Sequence, residues 1–223
     1  MRVIGLCSGG KDSTYALWLA MRKGHEIMGL LAMIPRREDS WMFHTANIKL
    51  VDLFAECAGM PLLKAETSGE REEELKDLEN ALQRFGADGV VTGAIASTYQ
   101  KSRTDRICRN LGLLSIAPLW GKEPLELMRE FLTAGFEAII TSVTAEGFDG
   151  GWLGRRIDEK CINELVKLNF RYRINICGEG GEYETLVLDA PFFKRKIEVE
   201  EAESIWRGSG GYYLIKRAKT VEK

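Results

Sequence analysis

Val3-Ile4-Gly5-Leu6-Cys7-Ser8-Gly9-Gly10-Lys11-Asp12-Ser13-Thr14-Tyr15-Ala16-Leu17-Trp18-Leu19-Ala20-Met21 opens the chain. Its first five residues are an apolar run of the kind that forms a strand buried on both faces. From Tyr15 onward the apolar residues recur at helical spacing. Between the two lies a turn rich in glycine. Strand, turn and helix in that order make an anion site, because first-turn N–H groups lack intrahelical acceptors and the helix dipole places about half a positive charge there. Lys11 adds a full one. The natural guest is a phosphate; the plainer alternative is a tight turn in which Ser8 or Asp12 merely caps the helix.

Working outward, strand-like and helix-like stretches alternate as far as residue 119. Apolar runs at Ile27 to Ile34, Pro61 to Ala65, Gly89 to Gly93 and Leu114 to Ile116 are separated by three helical stretches. These are expected at about Thr45 to Ala58, Glu70 to Phe85 and Ala96 to Leu111. Such alternation predicts right-handed crossovers and an α/β fold: a doubly wound, mainly parallel five-stranded sheet with ligands at the carboxyl ends of its strands. After Pro118-Leu119-Trp120 the texture changes. Helices are expected from Glu123 to Ala134 and from about Asp158 to Leu168, and a strand from Glu137 to Val143. The tail from Leu186 is strand-like, with hairpin material at Arg207 to Gly211. This predicts a smaller C-terminal α+β domain, dividing the chain into residues 1–120 and 121–223.

The 223 residues carry 31 basic and 33 acidic side chains, a formal charge of -2 that argues against a nucleic-acid-coating protein. No apolar run reaches the ~20 residues of a membrane helix, and the N-terminus has no signal-peptide pattern. Five scattered cysteines with no C-x-x-C fit reduced thiols and a cytoplasmic setting rather than disulfides or a zinc site.

Several other stretches could carry chemistry. Met33, at the end of the second strand, is placed to pack on a planar ring, or simply in the core. His44 closes Ser40-Trp41-Met42-Phe43-His44 and faces either a ligand or solvent. Gly93 ends the fourth strand, where a missing side chain lets the backbone approach a ligand or just turn into a helix. Arg103 and Arg106 share a helix face and suit phosphates or an acidic partner, unless they are a solvated basic surface. Gly178-Glu179-Gly180-Gly181-Glu182-Tyr183-Glu184-Thr185 places three carboxylates within six residues. They repel unless they hold a cation or meet a positive substrate. A quaternary ammonium, with aromatic help from Tyr183 or Trp152, would suit them. A solvated hairpin is the alternative.

The opening turn misses a Walker A loop at one position, since Asp12 stands where G-x-x-x-x-G-K-[ST] needs a hydroxyl. Parsed as Ser8-Gly9-Gly10-Lys11-Asp12-Ser13, it resembles the SGGxDS loop of the ATP-pyrophosphatase (PP-loop) superfamily, whose HUP-type sheets bind ATP and cleave it between the α- and β-phosphates. Together with Gly178 to Thr185, Ala117-Pro118-Leu119-Trp120, Ser40 to His44, Gly93-Ala94-Ile95 and Arg103-x-x-Arg106, it resembles the diphthine–ammonia ligase family over essentially the whole chain. The resemblance implies ATP-dependent amidation of diphthine, a modified histidine on translation elongation factor 2, with ammonia through an acyl-adenylate. Diphthamide, AMP and pyrophosphate would be the products. It implies Lys11 and Asp12 as catalytic residues, Ser8, Gly9, Gly10, Lys11, Asp12, Ser13, Met33 and Gly93 around ATP with Lys11 on the β- and γ-phosphates, and Asp12 as the ligand of Mg²⁺. His44, Arg103, Arg106, Glu179, Glu182, Tyr183 and Glu184 fall to the substrate.

Arg2 stands where one amidotransferase class has a nucleophilic cysteine, so free ammonium is the expected nitrogen source. The chain also ends soon after the hairpin, without the extra C-terminal domains of some eukaryotic members. Two rivals remain open: a PP-loop tRNA-modifying enzyme, which the basic helix near Arg103 favours, and a nucleotide sensor without turnover. Homo-oligomerisation also stays open.

Overall fold

A computed structural model describes residues 1–35, 47–67 and 71–223. Strands β1 (Arg2–Leu6), β2 (Glu26–Pro35), β3 (Leu62–Thr67), β4 (Gly89–Val91) and β5 (Leu114–Ile116) form one sheet in the order β3-β2-β1-β4-β5, every pair parallel. The α/β fold expected from the alternation is therefore present. Helices α1 (Lys11–Arg22), α2 (Val51–Ala58), α3 (Arg71–Leu82) and α4 (Thr98–Leu111) connect the strands. Neighbouring strand residues point to opposite faces, and both faces are covered. Val3, Leu30 and Val91 join a core with Leu17, Ala20 and Phe54, whereas Ile4, Leu31 and Val90 join another with Leu75, Leu82 and Ile107. Burial on both sides is why these strands read as unbroken apolar runs.

The second sheet is antiparallel, in the order β7-β6-β9-β8, from β6 (Glu137–Val143), β7 (Tyr183–Asp189), β8 (Lys196–Arg207) and β9 (Gly210–Val221). Helices α5 (Pro124–Thr133) and α6 (Glu159–Tyr172) accompany it. Each begins with an acidic cap: Glu126 N–H donates to Glu123, and Cys161 N–H donates to Asp158. Helix α6 runs four residues beyond its expected end and closes with Arg173 in the left-handed region (φ 61°).

The core on the α1–α2 face of the first sheet continues into the second. Cys7, Tyr15 and Phe54 share it with Phe136, Ile139, Leu186 and Phe193. Phe54 meets Phe193 edge-on at 4.9 Å, and Tyr15 meets Phe136 at 5.4 Å. Lys194 N–H donates to the Cys57 carbonyl, and Asn47 bonds the backbone of β9 at Tyr213 and Ile215. No helix among the described residues is long and apolar enough to cross a membrane.

Candidate active site

Strand order reverses between β1 and β4, and the loop Ser8–Ser13 leaves the carboxyl end of β1 at that switch point. Gly9 takes φ +78°, open to glycine at little cost. Gly10 is the N-cap of α1 and offers no side-chain acceptor, whereas α4, α5 and α6 are each capped by a side chain. The Lys11 N–H is taken by Thr185 Oγ1 at 3.0 Å. Asp12 and Ser13 are then the first-turn donors left for an anion. The Ser8 and Ser13 hydroxyls lie 3.2 Å apart beside them.

Lys11 points away from this site. It is 3% exposed, and its ammonium donates to both Asp12 carboxylate oxygens (2.9 and 2.8 Å) and to the Cys177 carbonyl. The Tyr183 ring lies beneath it, 5.3 Å from Nζ. The expectation that Lys11 meets phosphates directly therefore changes. In α1 it shares the buried stripe of Thr14 and Tyr15, three and four residues on, and that stripe packs towards β7. Asp12 keeps 32% of its side chain exposed and is the carboxylate available at the loop. Burial pushes its carboxyl above the ordinary range, while Lys11 pulls it back down.

The acid–glycine segment does not gather its three carboxylates at one point. Glu179 Oε1 accepts from three successive N–H groups, Ile95 (3.0 Å), Ala96 (3.0 Å) and Ser97 (2.9 Å). Glu182 turns back on its own loop, accepting from Asn175 N–H at 2.7 Å and Gly180 N–H at 2.8 Å. Glu184 is half-buried on β7 opposite Ser142. Backbone donors thus relieve the repulsion for two of the acids. Tyr183 is buried, its hydroxyl donating to the Ile176 carbonyl, so its ring has no open face for a ligand. Trp152 is buried against Phe148.

Gly93 lies where the fourth strand meets α1. A Cβ there would come within 2.6 Å of Ser13 N and 2.7 Å of the Asp12 carbonyl carbon. The close approach that its missing side chain permits is to the first turn of α1. Residues 93–97 are wedged between that turn and Glu179.

An open groove of about 540 Å³ runs past Ser97, Glu179, Glu182, Asn175 and Arg173. Arg103 and Arg106 follow along α4, beginning about 9 Å from Ser97. The Arg103 guanidinium stacks 3.7 Å over Tyr99, and Arg106 is exposed. Met33 is half-buried near the end of β2, opposite Ala65. His44 and the rest of Ser40 to His44 lie outside the described residues. Sequence reasoning missed the Thr185 hydroxyl and the Val187 N–H, which donates to the Gly9 carbonyl at 2.9 Å. The only signal for either was that Thr185 ends the acid–glycine stretch.

Among the described residues no group of three or more His, Cys, Asp or Glu side chains is placed to hold a metal. Asp12 suits Mg²⁺ all the same, because that ion is usually held by one or two carboxylates together with substrate phosphates. All five cysteines are unpaired and buried. Burial pushes Cys57, Cys108 and Cys161 up to about 11 and Cys7 and Cys177 up to about 12, so no thiol is primed for nucleophilic work.

Fold and loop define the class: an α/β protein built to hold an anionic ligand at the carboxyl end of its central strand. The chain belongs to the diphthamide synthase family. The model for that family's N-terminal domain matches residues 1–115, and the model for its C-terminal domain matches residues 123–221. It is similar to the diphthine–ammonia ligase of Homo sapiens, at 34% identity covering 100% of this chain and 91% of the human protein. The Mus musculus protein of the same name is 34% identical, with 95% and 88% covered. The Schizosaccharomyces pombe protein is 35% identical over 97% of this chain, which spans only 39% of that longer relative. A looser likeness links the fold to a crystal structure of a predicted subunit of tRNA methyltransferase from Methanocaldococcus jannaschii, with 15% identity, a TM-score of 0.45 and 86% and 98% of the two chains covered.

Proposed function

We propose that this chain joins ammonia to the carboxylate of diphthine on translation elongation factor 2, activating that carboxylate as an acyl-adenylate with ATP and releasing AMP and pyrophosphate. As a member of the diphthamide synthase family the chain is an ATP-dependent ligase that makes diphthamide by amidation. The observation that carries the finer reading is the joining of its two motifs. The loop Ser8–Ser13 is fastened to the acid–glycine strand through Lys11 N–H to Thr185, Lys11 Nζ to Cys177 and Val187 N–H to Gly9.

In this reading residues 1–120 hold ATP and residues 121–223 present the substrate. The Asp12 and Ser13 N–H groups and the Ser8 and Ser13 hydroxyls receive the β- and γ-phosphates, which leave together as pyrophosphate. Asp12 holds Mg²⁺, which would neutralise charge developing on the leaving group. Lys11 serves catalysis at one remove by fixing the Asp12 carboxylate. Met33 packs on adenine at the end of β2. The groove that runs past Glu179 and Glu182 takes the modified histidine, with the Glu182 carboxylate suiting a trimethylammonium group and Arg103 and Arg106 on the approach for the larger protein. Free ammonium supplies the nitrogen.

AMP release by the purified chain tests this. It should require ATP, Mg²⁺, ammonium and diphthine-bearing elongation factor 2 together, and Asp12→Ala should lower it by at least a hundredfold. AMP formation driven by tRNA instead, or tight ATP binding with no AMP under any condition, would overturn the proposal.

A further inference from the structure

One carboxylate oxygen of Glu179 takes the N–H groups of three consecutive residues, Ile95, Ala96 and Ser97, each within 3.0 Å. Successive backbone donors aimed at a single point form an anion nest, and bonds from it to a carboxylate are charge-assisted. These three residues connect Gly93, which abuts the Asp12–Ser13 backbone, to Ser97, the cap of α4. Glu179 itself comes from the segment whose neighbours Cys177, Thr185 and Val187 grip the phosphate loop. The turn 93–97 is thus held from one side by a residue 84 positions away from Ile95 and bears on α1 from the other.

We infer that Glu179 is a positioning residue for the nucleotide site: its carboxylate shapes the 93–97 turn and, through Gly93, fixes the first turn of α1. The inference rests on the functional reading for its kinetic arm only. It separates Glu179 from Glu182, whose bonds to Asn175 and Gly180 close its own loop and do not reach the 93–97 turn. It also assigns the turn leading into β7 a part in binding ATP.

The two roles make opposite demands on the side chain. Shaping the turn needs an acceptor oxygen at glutamate's reach, which Glu179→Gln retains and Glu179→Asp, one methylene shorter, does not. Attracting a cation needs the charge, which Asp keeps and Gln loses. Glu179→Gln should therefore stay within about threefold of wild type in KM for ATP, with Glu179→Asp and Glu179→Ala raised roughly tenfold or more. The reverse order, with Asp active and Gln weakened towards the factor, would overturn the inference.

Amide hydrogen exchange on the protein without substrates provides the second measurement. Residues 95–97 and the amide of Thr14, which donates to the Gly10 carbonyl in the first turn of α1, should exchange at least tenfold faster in Glu179→Asp than in Glu179→Gln. Equal exchange at Thr14 in both variants would refute the link through Gly93. If the wild-type chain makes no AMP, the functional reading fails while the exchange comparison still decides this one. Should Glu179→Ala not fold, the Asp and Gln pair suffices.

Discussion

Lys11 is a cation enclosed by protein, with its charge matched by Asp12 and its remaining capacity by a carbonyl. Replacing it with methionine would keep the volume and strand the carboxylate. Lys11→Met should cost roughly 2 kcal/mol, under the ~3–5 kcal/mol of a fully enclosed pair because a third of Asp12 stays in water. The sign with pH follows from the raised Asp12 carboxyl. Folding then favours the protonated acid, so ionisation reduces stability progressively as pH rises from the unfolded value of about 3.9 through the folded one. Losing Lys11 removes the influence that pulls the folded value down, and the window widens upwards. Urea titrations should show the loss in Lys11→Met shrinking between about pH 8 and about pH 5; a loss that is flat or grows on acidification would contradict it. The identity of this lysine was legible in the sequence, but its direction was not. That depends on the Cys177 carbonyl and the ring of Tyr183, which lie more than 160 positions away.

At the scale of elements, α1 and β4 meet where Gly93 leaves no room for a methyl group. Gly93→Ala would press a Cβ against backbone that has no rotamer to yield, at a cost of about 1–3 kcal/mol. Thermal unfolding should register that cost, and ATP affinity should fall with it, because the atoms displaced are those of the first-turn donors. A variant with unchanged melting temperature would show that the turn accommodates the methyl. The elements themselves were well signalled. Unbroken apolar runs gave the parallel strands, and the spacing of Leu75, Leu78 and Leu82 gave α3. The arrangement of the acid–glycine stretch was hidden for a physical reason. Like charges in sequence imply a cation only if their side chains converge, and glycine turns aimed Glu179 and Glu182 at separate sets of N–H groups.

For the whole molecule, two compositional halves share one core. Cys7, Tyr15 and Phe54 are buried together with Ile139, Leu186 and Phe193, so a fragment of residues 1–120 would expose the α1–α2 face of its sheet. That fragment should lack cooperative unfolding and bind ATP poorly, as calorimetry and titration would reveal; a fragment that melts sharply and keeps full affinity would count against this. Sequence texture marked where the fold changes character near Trp120 and led to a second domain packed to close over the strand ends, but it did not show that the two halves share one core along the α1–α2 face. Packing of this kind follows from sheet order β7-β6-β9-β8, in which the strand touching the phosphate loop is third from last in the chain.

The bond from Val187 N–H to Gly9 also fixes an order of events during synthesis. The glycine turn is synthesised well before its partner on β7. At roughly 5–20 residues per second, the gap lasts on the order of ten to thirty-five seconds. Through that interval the nascent chain carries a turn that cannot yet close. On the proposed reading nucleotide capture waits for β7, and a chain truncated before that strand should bind ATP poorly.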